Sequence, residues 1–260
     1  GEIVRISTGW QQAQHEAFVS LFAERGGVPV MPVVAAGTAP EGDAFLVLDA
    51  DAQPLASLAP EQIDDRAIEE LWLAFERLGR LGVAMGRVDG HGLFVRADGS
   101  AALGEFADAT VAAERSMVLA DKAQLLVVTA LAVGRGRAVP IAARTVGNEA
   151  LEEALPYLQH AALDPEVWHA VKARDWSLEE LRVMAEQETG SAPKELEELR
   201  RVTWGSILKL ALIGLVAYAL FSAISNIGID TIIAEIQSAS KGWLVAALLL
   251  TPLAQVPQRS

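Results

Sequence analysis

From Leu210 to Ile229 the chain runs for 20 residues without a charged side chain, bounded by Lys209 and Asp230. No other feature restricts the fold so strongly. A helix rises about 1.5 Å per residue, so a run of this length covers the ~30 Å hydrocarbon core of a bilayer. A core helix in a water-soluble domain is usually shorter and keeps a polar face, whereas this run has apolar residues nearly all round. It predicts a membrane span over about 205–228. Gly242–Gln258 is a second uncharged run, of 17 residues, and predicts part of a second span over about 242–258. Between them Ile229, Ile232, Ile233 and Ile236 recur at helical spacing, with Asp230, Thr231, Glu235 and Ser238 off that face. That pattern predicts a short helix lying in the membrane interface over about 229–240, with an ordinary hairpin connection as the alternative.

The charge divides at the same place. The whole chain has 260 residues and a net charge of −13. Residues 1–199 carry 16 basic and 32 acidic side chains, and residues 200–260 carry 5 basic and 2 acidic. The expected organisation is a soluble domain over 1–199 and the start of a transmembrane region over 200–260. Arg200, Arg201 and Lys209 precede the span, and a Lys/Arg excess marks the cytoplasmic flank. The soluble domain is therefore expected in the cytoplasm, at an inner or plasma membrane. Gly1 is not an initiator Met and Ser260 follows closely on the second apolar run. The sequence reads as a fragment of a longer polytopic chain.

Composition removes several classes of function. With 52% hydrophobic residues the chain has enough apolar surface to fold. Without Cys it has no thiol nucleophile, no disulfide and no Cys-ligated metal. The acidic balance argues against nucleic-acid binding, which needs clustered Lys and Arg. His15, His91, His160 and His169 are scattered, so their spacing supports no metal site.

Within 1–199 the pattern predicts a strand over Glu2–Ser7 and a helix over Trp10–Arg25, with Ala17, Phe18, Leu21 and Phe22 on one face. β-type runs follow at Val28–Ala36 and Phe45–Leu48, around a turn at Ala39–Gly42. Asp64–Gly82 is an amphipathic helix with Ile68, Leu71, Trp72, Phe75 and Leu78 in one stripe. Gly92–Arg96 and Ala101–Phe106 flank the turn Ala97-Asp98-Gly99 as a hairpin. Ser116–Val133 is nearly all apolar and should be central and buried. Helices are expected at Glu149–His160, Asp164–Arg174 and Leu178–Gln187. The order suggests an α+β domain with a small mixed lobe and a mainly helical lobe.

This order, with Gln14-His15-Glu16-Ala17, Met85–Val95, Leu103–Ala109 and Ala154-Leu155-Pro156-Tyr157-Leu158-Gln159, resembles the protein-kinase-like fold. More narrowly, the chain resembles the bacterial kinase-like cytoplasmic domain that precedes a lysylphosphatidylglycerol-synthase-type, flippase-like transmembrane region. The resemblance implies a degenerate kinase-like fold with a truncated N-lobe, followed by transmembrane α-helices. In that family the pattern is His-Gly-Asp, an Asn five residues on, and Asp-Phe-Gly after the hairpin. Here the corresponding residues are Met85-Gly86-Arg87, Gly92 and Glu105-Phe106-Ala107. Arg87 cannot accept a proton, and Gly92 has no side-chain ligand. Glu105 keeps a carboxylate that could hold a cation, making it the one candidate metal ligand.

Loss of two of three central groups implies a catalytically inactive pseudokinase. Glu16 corresponds to the helix carboxylate that pairs with a strand Lys in the family, and Arg5 is the upstream basic residue nearest to that role. Arg5, Glu16 and Glu105 are thus the nucleotide-pocket candidates, with ATP and Mg²⁺ as the ligands a residual pocket would take. Asp121 is expected to brace the catalytic turn through backbone N–H groups, as an acid there does in kinase-like folds. Asp89, Asp98 and Asp108 read as turn and cap residues.

The implied function is a regulatory or binding module of an integral membrane protein, linked to lipid flipping or aminoacyl-phospholipid handling. Its partners would be membrane lipids, its own missing transmembrane region and a cytoplasmic protein. Two alternatives stand beside it. One is an atypical kinase acting on a small molecule or lipid, with Glu105 on a metal and Asp89 or Asp108 as base. The other is a purely structural cytosolic cap.

Overall fold

The computed structural model describes residues 2–7, 9–39, 43–49, 51–192 and 196. The chain divides into two units, Gly1–Leu199 and Arg200–Ser260, and every described residue lies in the first. The two expected spans and the interfacial helix lie outside the described residues.

Strands β1 (Glu2–Ser7), β2 (Val33–Thr38) and β3 (Ala44–Asp49) form an antiparallel sheet in the order β1-β3-β2. Arg5 stands opposite Leu46, and β2 carries an irregularity between Val33 and Ala35. Helix α1 (Trp10–Arg25) precedes β2 and packs on this sheet. It buries Ala13, Glu16, Val19, Ser20 and Ala23 and turns Phe18 and Leu21 to solvent. Val28–Pro32, expected as strand, lies outside the sheet and meets the hairpin through a bridge from Val30 to Leu103.

A second sheet has the order β4-β6-β7, from β4 (Ala52–Pro54), β6 (Leu93–Arg96) and β7 (Ala101–Leu103). Pro54 lacks an N–H, which suits its place on an edge strand. Met31, Leu46, Leu48, Phe94 and Ala102 form one apolar cluster, filled from β3 on one side and the hairpin on the other. A two-stranded ribbon of β5 (Val83–Ala84) and β8 (Thr110–Val111) brackets the segment that contains the site. The pattern of residues does not announce strands this short.

The helical part is built on α2 (Asp65–Arg80) and α3 (Arg115–Val133). Asp64 caps α2, its carboxylate accepting from the Arg66 N–H at 2.9 Å. The whole predicted stripe of α2 is buried, with Trp72 fully so. Among the described residues α3 alone is long and apolar enough to cross a membrane. It is instead a core helix, packed by α2 and by two further helices, α4 (Arg135–Val146) and α5 (Asn148–Ala154). Its buried polar residues Asp121, Lys122, Gln124 and Thr129 all find partners inside the protein.

Helix α4 was hidden in the sequence by Gly134, Gly136, Pro140 and three arginines. Those arginines are tethers. Arg137 holds Asp65 at 2.6 Å and the Ile63 carbonyl at 2.9 Å, and Arg144 holds Glu69 at 2.8 Å. The guanidinium of Arg137, with help from Arg144, keeps the Asp65 carboxyl below the ordinary carboxylate range. The helix expected over Glu149–His160 ends at Ala154, because Pro156 cannot continue it and a 3-10 turn, Leu155–Tyr157, takes over. α6 (Pro165–Lys172) and α7 (Leu178–Thr189) complete the described fold, and Ser177 and Glu180 cap α7 reciprocally.

Candidate functional site

The site is built on the turn Met85–Asp89 that leaves β5. Asp121 of α3 reaches it from below, accepting from the Met85 N–H at 2.5 Å and the Gly86 N–H at 3.1 Å. Gln124, three residues on and on the same helix face, accepts from the Val88 N–H at 3.1 Å. The turn is therefore pinned at three amides from one rigid helix. Gly86 has φ +75°, and a Cβ there would lie 2.7 Å from the Asp108 carbonyl oxygen. Only glycine fits both the backbone and the space.

Pinning the turn projects Arg87 outward. Its guanidinium faces Asp89 at 3.6 Å, Glu105 at 3.5 Å and Asp108 at 3.5 Å. Three carboxylates share one cation, and the side chain keeps 43% exposure. Asp89 is oriented for this by its own loop, accepting from the His91 N–H at 2.8 Å and the Gly92 N–H at 3.0 Å. Glu105 arrives from the end of the hairpin with φ +61°, a conformation that costs a non-glycine residue of order 1–3 kcal/mol. Its neighbour Phe106 is buried and anchors that turn to the core.

Gly92 and Glu105 are fitted to each other. A Cβ on Gly92 would meet Glu105 Cβ at 3.2 Å and Oε2 at 3.4 Å. The longer acid occupies the room that a side chain at Gly92 would need. On the other side His15 of α1 donates from Nε2 to the Ala109 carbonyl at 2.8 Å, tying α1 to the segment after Glu105.

The structure thus brings Arg87, Gly92 and Glu105 together and places Asp121 directly behind them. Glu16 is buried on α1, and the side chain of Arg5 lies outside what the structure describes. Asp89 and Asp108 do more than shape turns, since both carboxylates hold Arg87. Spacing could not announce this, because 19 residues and a hairpin separate them. The link from Gln124 had a sequence signal in its i,i+3 spacing from Asp121.

Burial is the dominant influence on Asp121. It pushes the carboxyl up to about 7, against the two backbone N–H bonds that favour the charged form. At the Arg87 cluster one guanidinium faces three carboxylates. Among the described residues no group of three or more His, Asp or Glu is arranged to hold a metal ion. Arg87 already stands among the carboxylates, and Gly92 offers nothing to a cation. The residues present do not fit a resident Mg²⁺.

No family model matches the sequence, and no curated protein does. Solved structures do resemble it. One is from the yeast RNA polymerase II CTD kinase complex CTDK-1, at 11% identity and TM-score 0.39, covering 67% of this chain and 70% of that one. Another is WbdD, crystallised with the kinase inhibitor LY294002, at 17% identity and TM-score 0.39. The similarity covers 70% of this chain and 37% of WbdD. A third is a divergent Toxoplasma kinase that lacks the glycine-rich loop, at 12% identity and TM-score 0.40, covering 71% and 72%. Two of these three are described as kinases or a kinase complex, and the third was crystallised with a kinase inhibitor.

Proposed function

We propose that residues 1–199 form a degenerate kinase-like domain without phosphoryl-transfer activity, serving as a binding or regulatory module of an integral membrane protein. One observation carries this reading. The guanidinium of Arg87 lies among Asp89, Glu105 and Asp108, where a phosphotransferase needs a divalent cation and a free carboxylate. An arginine there keeps a permanent positive charge among the acids and cannot take up a proton. Gly92 supplies no second ligand, and Glu105 packs into the space.

Calorimetry on the 260-residue chain tests the reading. Wild type should show no Mg²⁺-dependent ATP binding and no nucleotide turnover. Arg87→Ala frees three carboxylates and should give Mg²⁺-dependent heat that wild type lacks. Mg²⁺-dependent phosphoryl transfer by wild type, lost in Glu105→Gln, would instead establish an atypical kinase.

The membrane part of the proposal, a link to lipid flipping or aminoacyl-phospholipid handling, rests on sequence. Its supports are the uncharged run Leu210–Ile229, the basic flank Arg200, Arg201 and Lys209, and the stated family resemblance. The chain should resist alkaline extraction from membranes, and a chain ending at residue 199 should not. Equal extraction of both would remove the membrane link.

A further inference from the structure

Beside the Arg87 cluster, and sharing Asp89 with it, lies a cavity of about 260 Å³. Its walls come from the Leu55–Leu58 turn, from α3 through Val128 and Leu131, and from α6 through Val167 and Ala170. This is the small end of ligand pockets, which run ~300–1,000 Å³ and are mostly apolar with a few placed polar groups. Here the polar groups gather at one end. Asp89, His91 and Glu166 line both the apolar cavity and the open cleft that leads on to Arg87.

The charges at that mouth are unequal in their commitments. Arg174 lines the cavity, donates one N–H to the Leu131 carbonyl at 2.9 Å and keeps its positive charge. Asp164, in the cleft, is used as the cap of α6, accepting from the Glu166 N–H at 2.8 Å. Asp89 holds its own loop and faces Arg87. The side chain of Glu166 has no partner among the described residues. A ligand entering the apolar chamber therefore meets an uncommitted carboxylate, with Asp89 lining the same cavity.

We propose that this cavity is a binding site for a small organic ammonium compound, with its apolar body among Leu55, Leu58, Val128, Leu131 and Val167 and its amine between Glu166 and Asp89. A carboxylate of the same shape meets Glu166 and Asp89 there and binds more weakly. Asp89 is shared with the Arg87 cluster, whereas Glu166 is not, so the test varies Glu166 and leaves Arg87 in place.

The test uses three probes of similar size: phenethylamine, 2-phenylethanol and 3-phenylpropionate. Each is titrated into the 260-residue chain in nonionic detergent, and binding is read by calorimetry. The amine should bind about tenfold more tightly than the carboxylate, with the alcohol between. Glu166→Gln should weaken the amine about fivefold and leave the alcohol unchanged, as expected for a partly exposed charge pair. Ala170→Trp, at an exposed rim position of α6, should abolish binding of all three by filling the chamber. Unfolding temperatures of both variants verify that they fold. Carboxylate binding as tight as the amine, amine binding indifferent to both substitutions, or no binding of any probe at millimolar concentration would each overturn the proposal.

Discussion

Asp121→Ala should destabilise the domain by about 3–5 kcal/mol, because it strips one buried and one part-buried amide donor of their acceptor and leaves a cavity. The donors are the N–H groups of Met85 and Gly86, at 2.5 and 3.1 Å. Urea denaturation at pH 7 measures the loss. A cost below about 1 kcal/mol would mean that water or another side chain satisfies both amides. Asp121→Asn should be milder, since the amide oxygen still accepts one of the two bonds.

The same residue gives a pH dependence whose sign is unusual for a carboxylate. Its folded value, about 7, lies above the ordinary 3.8. Between those values the folded protein holds a proton that the unfolded chain has released. Stability from this group is therefore full below about pH 4, falls as pH rises towards 7, and is flat above it. A shift of that size corresponds to about 4 kcal/mol across the window. Asp65 acts in the opposite sense and in another range. Its lowered value gives stability that is lost only as pH falls below the ordinary carboxylate range. Subtracting the Asp121→Asn stability curve from that of wild type isolates the first effect. A difference that does not change between pH 4 and 7 would mean that Asp121 stays charged in the fold.

Trp72→Ala should cost about 3–5 kcal/mol, the range for removing a large aromatic from a packed core. Trp72 is the largest fully buried side chain, at 0% exposure. Against a total stability of ~5–15 kcal/mol, that is enough to leave much of the domain unfolded on mild heating. Trp72→Phe should cost far less than lost volume alone suggests. The indole Nε1 is buried with no hydrogen-bond partner, so its removal relieves a desolvation penalty of about 1–3 kcal/mol. Paired urea curves for the two variants decide it. Equal costs would mean that the indole N–H is in fact satisfied, by water or by a shifted neighbour.

Legibility in the sequence followed how local the cause was. The buried stripe of α2 is visible because five apolar residues repeat at helical spacing in one segment. The burial of α3 is visible because so little of its surface is polar. The hairpin β6–β7 is visible through its Asp-Gly turn. Helix α4 is not, since its glycines and Pro140 read as breakers, and its arginines find their acceptors 45 to 79 residues away. The outward face of α1 is a similar case. Phe18 and Leu21 look like core residues, yet the sheet takes the opposite side with its smaller residues.

The candidate site divides the same way. The sequence by itself determined that a positive charge stands at Arg87, that Gly92 has no ligand to give, and that Glu105 is one methylene longer than Asp. Those are properties of single side chains, and no fold alters them. Only the tertiary structure decided that Arg87 is held by Asp89, Glu105 and Asp108 at once, and that Glu105 fills the room left by Gly92. It also decided that Glu166, 77 residues from Asp89, shares a cavity with it. The physical reason is range. A charge or a missing side chain acts where it stands, whereas ion pairs and cavities need atoms brought within a few ångströms, and helices α3 and α6 do that across long stretches of chain.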